Sequence, residues 1–313
     1  MKRSPMTEGH HLLKGLVAAT FTPLKETGEL NLDLFPAMVD HLAGNGIQGI
    51  YICGSTGEGP SLTIEERKLV AEAFLDAARD RLKTIIHIGH CSLPDCETLA
   101  RHAESHGADA ISAIAPFYYK PLPLENLVEF LALAAGSSSL PFYYYHMPSL
   151  TGIPIDPLQL LELGSSRIPT LQGIKFTDSD LSILSECQDY QDGQYEVLFG
   201  RDEMLLSALA LGNQGAVGST YNLAPALYRR IIQHFEAGEL EEARQAQRQS
   251  VKMIRSIMKH GGEAALKYPM HRFGLDCGQR RLPMNQLSPE QKQAIDATLD
   301  TMEFDNWASD ISA

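Results

Sequence analysis

The stretch Leu171-Gln172-Gly173-Ile174-Lys175-Phe176 is short, largely apolar, and carries β-branched and aromatic side chains. Consecutive apolar positions of this kind are typical of strands that are buried on both faces of a parallel sheet. Seven more stretches share this character, at residues 16–21, 49–53, 84–88, 110–115, 141–145, 196–199 and 215–218. The sequence therefore predicts eight buried parallel strands.

Amphipathic segments lie between these strands, for example residues 65–79, which carry a charged stripe, and residues 96–106. Strand–helix units that recur every roughly 25–30 residues favour a closed (β/α)8 barrel, the TIM barrel, over an open doubly wound sheet. No Gly-x-Gly-x-x-Gly follows the first strand, which removes the main support for a dinucleotide-binding fold. We expect an α/β chain built around one barrel.

Only helical periodicity continues after Ala224, at residues 224–237, 240–260 and 289–302. We predict a (β/α)8 barrel catalytic domain over residues 1–237 and a C-terminal helical region over residues 238–313. The sequence leaves open whether the last helical segment packs on the barrel or serves a subunit interface.

Composition narrows the classes of function. The chain has 313 residues and a formal net charge of −13, with no Lys/Arg-rich block that would contact nucleic acid. No uncharged apolar run approaches about 18 residues, and residues 1–13 lack the apolar core of a signal peptide. Five cysteines without metal-ligand spacing favour reduced thiols. We expect a soluble cytoplasmic protein without membrane contact.

Lys175 stands near the end of the sixth predicted strand, and active sites of such barrels lie at the C-terminal ends of the strands. A lysine in a strand buried on both faces loses most of its hydration. This loss favours the neutral amine, which is a nucleophile for carbonyl carbons. The alternative is a lysine whose ammonium reaches solvent from the strand end.

Gly54-Ser55-Thr56-Gly57-Glu58-Gly59 follows the second strand. Adjacent hydroxyls and backbone N–H groups in such a turn can hold an anion such as a carboxylate. A plain tight turn that caps the next helix is the alternative. Tyr145 and Tyr118 end the fifth and fourth strands, and their phenols can transfer protons, although most strand tyrosines serve packing.

Gly200-Arg201-Asp202-Glu203 follows strand seven, and Gly218-Ser219-Thr220-Tyr221-Asn222 follows strand eight. The two acids could accept hydrogen bonds from substrate hydroxyls, or they could favour the start of the next helix. His87 and His90 straddle the end of strand three in a poor geometry for metal ligands. Because no histidine has a plausible set of partners, we predict no metal site.

Three motifs together resemble those of the pyruvate-dependent Schiff-base aldolases, the family that contains dihydrodipicolinate synthase and N-acetylneuraminate lyase. They are Gly-Ser-Thr-Gly-Glu at residues 54–58, Tyr-x-x-Pro at 145–148 and Gly-x-Lys-x-Thr at 173–177. They fall on the second, fifth and sixth strands, as that family requires. The similarity runs from about Gly15 to His260, and the remaining tail is looser.

Within this family, several positions resemble the lyase branch. Leu150 stands where the synthases carry an arginine for the carboxylate of their second substrate, a role that an apolar side chain cannot take. The acidic motif after strand seven and the Ser219 motif after strand eight resemble the sugar contacts of the lyases. Tyr143-Tyr144-Tyr145-His146 resembles the animal-type lyases. His146 replaces the asparagine usual in bacterial members, which leaves the role of this side chain open.

The resemblance implies reversible cleavage of N-acetylneuraminate to pyruvate and N-acetylmannosamine by a homotetramer that needs no cofactor. Lys175 would form the Schiff base. Tyr145 would carry the proton with help from Ser55, and Tyr118 would reach in from a neighbouring subunit. Ser55 and Thr56 would hold the substrate carboxylate. The N-acetyl and polyol end would be bound by Thr177, Gly200, Asp202, Glu203 and Ser219.

Three other functions compete with this one. A related aldolase for another 2-keto-3-deoxy sugar acid or aldehyde would keep the pyruvate end, so only the set of Asp202, Glu203 and Ser219 discriminates. A non-enzymatic barrel would be expected to have lost Lys175 or Tyr145. A phosphate-binding barrel needs an anion site after strands seven and eight, where the two acids would repel phosphate.

Overall fold

The computed structural model describes residues 12–120 and 123–310. Within them, eight parallel strands pair in chain order and close into a barrel, because the last strand pairs with the first. The strands are β1 (Gly15–Ala19), β2 (Gly49–Ile52), β3 (Lys83–His87), β4 (Ala110–Ile114), β5 (Phe142–His146), β6 (Leu171–Phe176), β7 (Glu196–Phe199) and β8 (Gly215–Gly218). The predicted TIM barrel is confirmed, and the bounds of β6, β7 and β8 are those expected from the sequence.

Helices follow the strands and cover the outside of the barrel. They are α1 (Phe35–Gly44), α2 (Ile64–Ala78), α3 (Leu93–Ser105), α4 (Leu124–Ala135), α5 (Pro148–Thr151), α6 (Pro157–Arg167), α7 (Leu181–Asp189), α8 (Leu205–Ala210), α9 (Pro225–Glu236), α10 (Leu240–Met258) and α11 (Pro289–Thr301). Helix α2 begins at a capping box in which Thr63 and Glu66 satisfy each other's backbone N–H groups. Helix α3 begins three residues before the predicted segment, with a proline in its first turn.

Alternate strand residues divide between two apolar layers. Val17, Tyr51, Tyr143 and Leu198 belong to a cluster inside the barrel. Their neighbours along the strands, such as Ile50, pack in a larger cluster with the surrounding helices. Burial on both faces explains why the strands are apolar at consecutive positions.

The C-terminal region packs on the barrel, which answers the question that the sequence left open. Ile295 and Leu299 of α11 are buried in the same cluster as the outer faces of the strands. The three helical segments predicted after Ala224 are confirmed as α9, α10 and α11, whereas residues 274–288 between α10 and α11 contain no regular helix. The domain boundary at residue 237 falls in the turn between α9 and α10 and stays a prediction.

Two expectations concerned export and membranes. Among the described residues, none of the helices has the length and apolar character needed to cross a bilayer. The expectation that the chain has no signal peptide rests mainly on residues 1–11, which lie outside the described residues, and it stays a prediction.

Candidate active site

Lys175 lies inside the barrel, with only 4% of its surface exposed. Its Nζ is 3.8 Å from the ring centroid of Tyr51 and 4.0 Å from that of Tyr145. Burial lowers the pKa of Lys175 to about 7, and the nearby charge of Asp202 opposes this shift. The ammonium does not reach solvent from the strand end. A large share of the side chain is therefore a neutral, nucleophilic amine near neutral pH.

Most of the predicted site residues meet in one pocket at the C-terminal ends of the strands. It is lined by Lys175 together with Ser55, Thr56, Tyr145, Thr177, Gly200, Asp202, Glu203 and Ser219. The strands β2, β5, β6, β7 and β8 and their following loops thus supply the set, as is usual for a barrel of this kind.

The phenol of Tyr145 lies between Ser55 and Met147. Its Oη is 3.5 Å from Ser55 Oγ and donates a hydrogen bond to Met147 Sδ at 2.8 Å. Burial raises the pKa of Tyr145 to about 12, which the Ser55 hydroxyl partly offsets. The phenol is therefore protonated at neutral pH. It is better suited to pass a proton on than to act as a general base in its phenolate form.

The turn after β2 is held in place by hydrogen bonds between Glu58 and the C-terminal region. Glu58 lies in the left-handed region at φ 59°. Its Oε1 accepts a hydrogen bond from Lys267 Nζ at 2.9 Å, and its Oε2 accepts one from the backbone N–H of Arg281 at 2.8 Å. The turn does not cap α2, since Thr63 does so. Ser55 and Thr56 are left facing the pocket.

Asp202 joins the ends of β7 and β8. Its Oδ2 accepts hydrogen bonds from the backbone N–H of Thr220 at 2.8 Å and from the Thr220 hydroxyl at 2.5 Å. Burial raises the pKa of Asp202 to about 6, and the bonds from Thr220 oppose the rise. The neighbouring Glu203 is more exposed, and its Oε1 is 3.6 Å from Nη1 of Arg201. Asp202 is thus fixed by Thr220, whereas the side chain of Glu203 is exposed enough to contact a ligand.

Thr177 presents a buried hydroxyl beside Gly200. Its Oγ1 makes no hydrogen bond of good geometry among the described residues, and it lies near the Tyr145 phenol, whose pKa it lowers. A Cβ atom on Gly200 would lie 2.0 Å from this oxygen. Any residue other than glycine at position 200 would therefore displace the Thr177 hydroxyl. A buried polar group without a partner is costly, which suits a group that binds a ligand.

Several residues that contact Lys175 or line the pocket were not predicted from the sequence. Tyr51 packs against Lys175 from β2, and its inward direction could have been inferred from the alternation along that strand. Five others come from the C-terminal region, which had been assigned no part in the site: Ile254, Met258, Glu263, Leu266 and Arg280. No local signal marks these residues, because tertiary packing alone brings them to the barrel mouth.

Tyr118 is not brought to the pocket within this chain. It is 73% exposed and stacks edge-on against Tyr119, which is 84% exposed. His146 is buried outside the pocket, where its ring stacks on Phe176 and its Nε2 is 3.6 Å from a carboxylate oxygen of Asp178. The catalytic expectation for Tyr118 therefore depends on a second subunit.

The histidines differ from expectation in one respect. His87 is buried, and its Nε2 accepts a hydrogen bond from the backbone N–H of Ile114 at 3.2 Å, so it serves packing. The argument that no histidine has partner ligands does not hold, because Glu72, His102 and His106 converge between α2 and α3. His102 and His106 are four residues apart at the end of α3, and this spacing places both side chains on one face of a helix.

Known proteins match this chain over nearly its whole length. Residues 12–302 match the model of the dihydrodipicolinate synthetase family. The N-acetylneuraminate lyases of Mus musculus and Homo sapiens are each 41% identical over 298 residues, which cover 93% of this chain and 93% of theirs. The structure of Proteus mirabilis N-acetylneuraminate lyase matches with a TM-score of 0.91 at 38% identity, covering 93% of this chain and 99% of that chain. The resemblance seen in the motifs is confirmed, and the chain belongs to the dihydrodipicolinate synthetase family.

Proposed function

We propose that this protein is a Schiff-base aldolase that reversibly cleaves N-acetylneuraminate to pyruvate and N-acetylmannosamine. The placement of Lys175 carries the proposal, since its amine is packed between Tyr51 and Tyr145 in a pocket lined with hydroxyls and carboxylates. The choice of sugar acid is supported by the full-length similarity to N-acetylneuraminate lyases. Lys175 acts as the covalent residue.

The reaction begins when neutral Lys175 Nζ adds to the C2 ketone of the open-chain sugar acid. Loss of water from the adduct leaves an iminium cation. The C4 hydroxyl gives up its proton, and the electrons of the C3–C4 bond move into the iminium. N-acetylmannosamine leaves as the aldehyde, and an enamine remains on the lysine. Protonation of its C3 and hydrolysis release pyruvate and restore the amine.

Tyr145 is the proton carrier in this proposal. Its phenol accepts the C4 proton as it passes its own proton on, and Ser55 is the neighbour that can complete the relay. A relay of this kind does not require a free phenolate, which the raised pKa of Tyr145 disfavours.

Substrate binding is divided between the two sides of the pocket. Ser55 and Thr56 hold the carboxylate with their hydroxyl and backbone groups. The open hydroxyl of Thr177 and the carboxylates of Asp202 and Glu203 face the polyol, and Gly200 and Ser219 complete this side. Carboxylates accept hydrogen bonds from several sugar hydroxyls and repel phosphate, which favours an uncharged polyol end.

We also propose that the protein assembles as a homotetramer in which Tyr118 enters a neighbouring pocket. The exposed aromatic side chains of Phe117, Tyr118 and Tyr119 support a buried interface there, because such patches are uncommon on surfaces without a partner. Light scattering on the purified protein gives the oligomeric state. Tyr118→Phe should lower kcat without changing that state, and an unchanged kcat would remove Tyr118 from the site.

A cytoplasmic location is part of the same proposal. All five cysteines are free thiols, and four of them are buried, as suits a reducing compartment. Fractionation of the source cells with an antibody against this chain tests the location.

The activity is tested by incubating the protein with N-acetylneuraminate and following pyruvate release, with Lys175→Ala as the control. Release by the wild-type protein alone supports both the substrate and the covalent residue. If no pyruvate is released, borohydride reduction with added pyruvate separates the remaining cases. An adduct on Lys175 keeps the aldolase and discards this sugar acid, whereas the absence of an adduct discards the Schiff base.

A further inference from the structure

We propose that Glu72, His102 and His106 form a binding site for a divalent transition-metal ion, with Zn²⁺ as the best fit. The site lies on the outside of the barrel, where Glu72 projects from α2 and the two histidines are one turn apart in the α3 segment. None of the three lines the active-site pocket among the described residues, so the site is separate from the proposed chemistry.

The ligand atoms converge at distances that suit one small cation. His102 Nε2 is 2.8 Å and His106 Nε2 is 3.7 Å from the same Oε1 of Glu72. One ligand atom from each of the three residues falls within 4.8 Å of the others. Ligands about 2.0–2.1 Å from a tetrahedral Zn²⁺ lie about 3.3 Å apart, and the two measured distances bracket that value. Side-chain adjustments of a few tenths of an ångström would complete the site.

The second nitrogen of His106 is oriented as it is in metal-bound histidines. His106 Nδ1 lies 2.9 Å from the carbonyl oxygen of His102, which can only accept a hydrogen bond. The proton of a neutral His106 is therefore on Nδ1, and the lone pair of Nε2 faces Glu72. A ring N–H given to a backbone carbonyl is the usual outer contact of a metal ligand.

A simple ion pair accounts for His102 but not for His106. The rings of His102 and His106 are stacked, with centroids 4.1 Å apart, and His106 Nε2 is too far from Glu72 for a hydrogen bond. The lone pair of His106 Nε2 and the Glu72 carboxylate face each other, and they repel one another unless a cation lies between them. A metal ion bound by all three groups removes the repulsion between His106 and Glu72 and keeps His102 beside the carboxylate.

The donor set selects the class of metal. Two imidazoles and one carboxylate suit Zn²⁺, Ni²⁺, Co²⁺ or Cu²⁺, whereas Mg²⁺ and Ca²⁺ require oxygen donors. Water would fill the open positions, because His106 and Glu72 are 42% and 39% exposed. A bound ion would join α2 to α3 and stabilise the folded state, since the unfolded chain does not hold the three ligands together.

The test uses full-length protein that has been stripped with chelator. Titration calorimetry with ZnCl₂ should give one ion per chain, ZnCl₂ should raise the melting temperature, and MgCl₂ should do neither. Co²⁺ should develop visible absorption bands from nitrogen and oxygen ligands. His106→Gln and Glu72→Gln should each weaken zinc binding at least 10-fold, and pyruvate release should stay at the wild-type rate, which shows that the variants fold.

Two control variants address zinc binding elsewhere. His234 pairs with Glu239 alone at 2.6 Å, and Cys91 is an exposed thiol. His234→Gln and Cys91→Ser should retain the zinc affinity of the wild-type protein. The proposal would be overturned if the protein did not bind zinc or bound magnesium equally well. It would also be overturned if His106→Gln kept the zinc affinity of the wild-type protein, or if a control variant lost it.

Discussion

At the scale of the residue, the proposed Schiff-base chemistry depends on the surroundings of the Lys175 side chain. Its Nζ lies between the rings of Tyr51 and Tyr145 inside the barrel, and burial brings its pKa to about 7. A lysine on the surface is almost fully protonated at neutral pH and cannot attack a ketone. Burial therefore supplies reactivity at the expense of stability, and both effects can be measured.

The first prediction concerns pH and activity. Only the neutral amine attacks, so kcat/KM for N-acetylneuraminate should rise as the pH rises through about 7. Asp202→Asn removes the charge that raises the pKa of Lys175, and should move this acid limb to lower pH. Initial rates of pyruvate release across the pH range provide the measurement. If the pH at which kcat/KM rises is the same in Asp202→Asn as in the wild-type protein, a group other than Lys175 titrates there.

The second prediction concerns stability. Unfolded Lys175 is protonated below about pH 10.5, whereas the folded group binds its proton only below about 7. The unfolded state therefore binds more protons between these values, and the contribution of Lys175 to stability is worst below pH 7 and improves as the pH rises toward 10.5. Lys175→Met should stabilise the protein by on the order of 4 kcal/mol at pH 7, because each pKa unit is worth about 1.4 kcal/mol.

Urea unfolding at neutral and strongly alkaline pH measures this difference. The advantage of Lys175→Met should shrink at alkaline pH, and Lys252→Met, at an exposed lysine of α10, should show neither effect. An equal gain at both pH values would mean that packing, not ionisation, stabilises the variant.

At the scale of the element, the ends of β6 and β7 approach so closely that one side chain must be absent. The backbone N–H of Gly200 donates to the carbonyl of Phe176 at 2.7 Å, and a Cβ atom on Gly200 would meet Thr177 Oγ1 at 2.0 Å. The close contact places the Thr177 hydroxyl in the pocket. Strand spacing thus determines the geometry of the side of the pocket that we propose binds the polyol.

The third prediction tests this contact. Gly200→Ala should displace Thr177 and raise KM for N-acetylneuraminate at least 10-fold, with a stability loss of about 1–3 kcal/mol from the overpacked atoms. Trapping of pyruvate on Lys175 should persist, because the pyruvate side is untouched. Gly164→Ala, where a Cβ atom would meet the flexible ends of two side chains, Leu171 Cδ2 at 3.2 Å and Ile168 Cδ1 at 3.7 Å, serves as the control and should be nearly neutral. Equal KM values in the two variants would contradict the assignment.

At the scale of the whole molecule, the C-terminal region supports the turn that holds Ser55 and Thr56. Lys267 and Glu58 form an ion pair whose side chains are 1% and 0% exposed, and Arg280 Nη1 donates to the carbonyl of Thr56 at 3.2 Å. Removal of one partner from a buried pair leaves an uncompensated charge, which is more costly than loss of the pair itself.

The fourth prediction follows from that asymmetry. Lys267→Met should cost about 3–5 kcal/mol in the free energy of unfolding and should raise KM, because the turn is released. The double variant Glu58→Gln/Lys267→Met should recover part of the stability, since no charge stays buried. Lys83→Met breaks the exposed pair with Asp109 and should cost less than about 1 kcal/mol. A double variant less stable than Lys267→Met would refute the role of the unpaired charge.

The amino-acid sequence alone determined the barrel and the position of Lys175, the covalent residue that we propose. Apolar runs buried on both faces mark all eight strands, and strand order brings Ser55, Tyr145 and Lys175 to one end of the barrel because parallel strands share their C-terminal edge. Tertiary structure alone decided that Arg280 and Glu263 close the pocket and that a glutamate from α2 meets two histidines of the next helix segment. The hydrophobic periodicity of the sequence predicts which residues are buried. Contacts between segments that are distant in the chain depend instead on how the helices and strands pack.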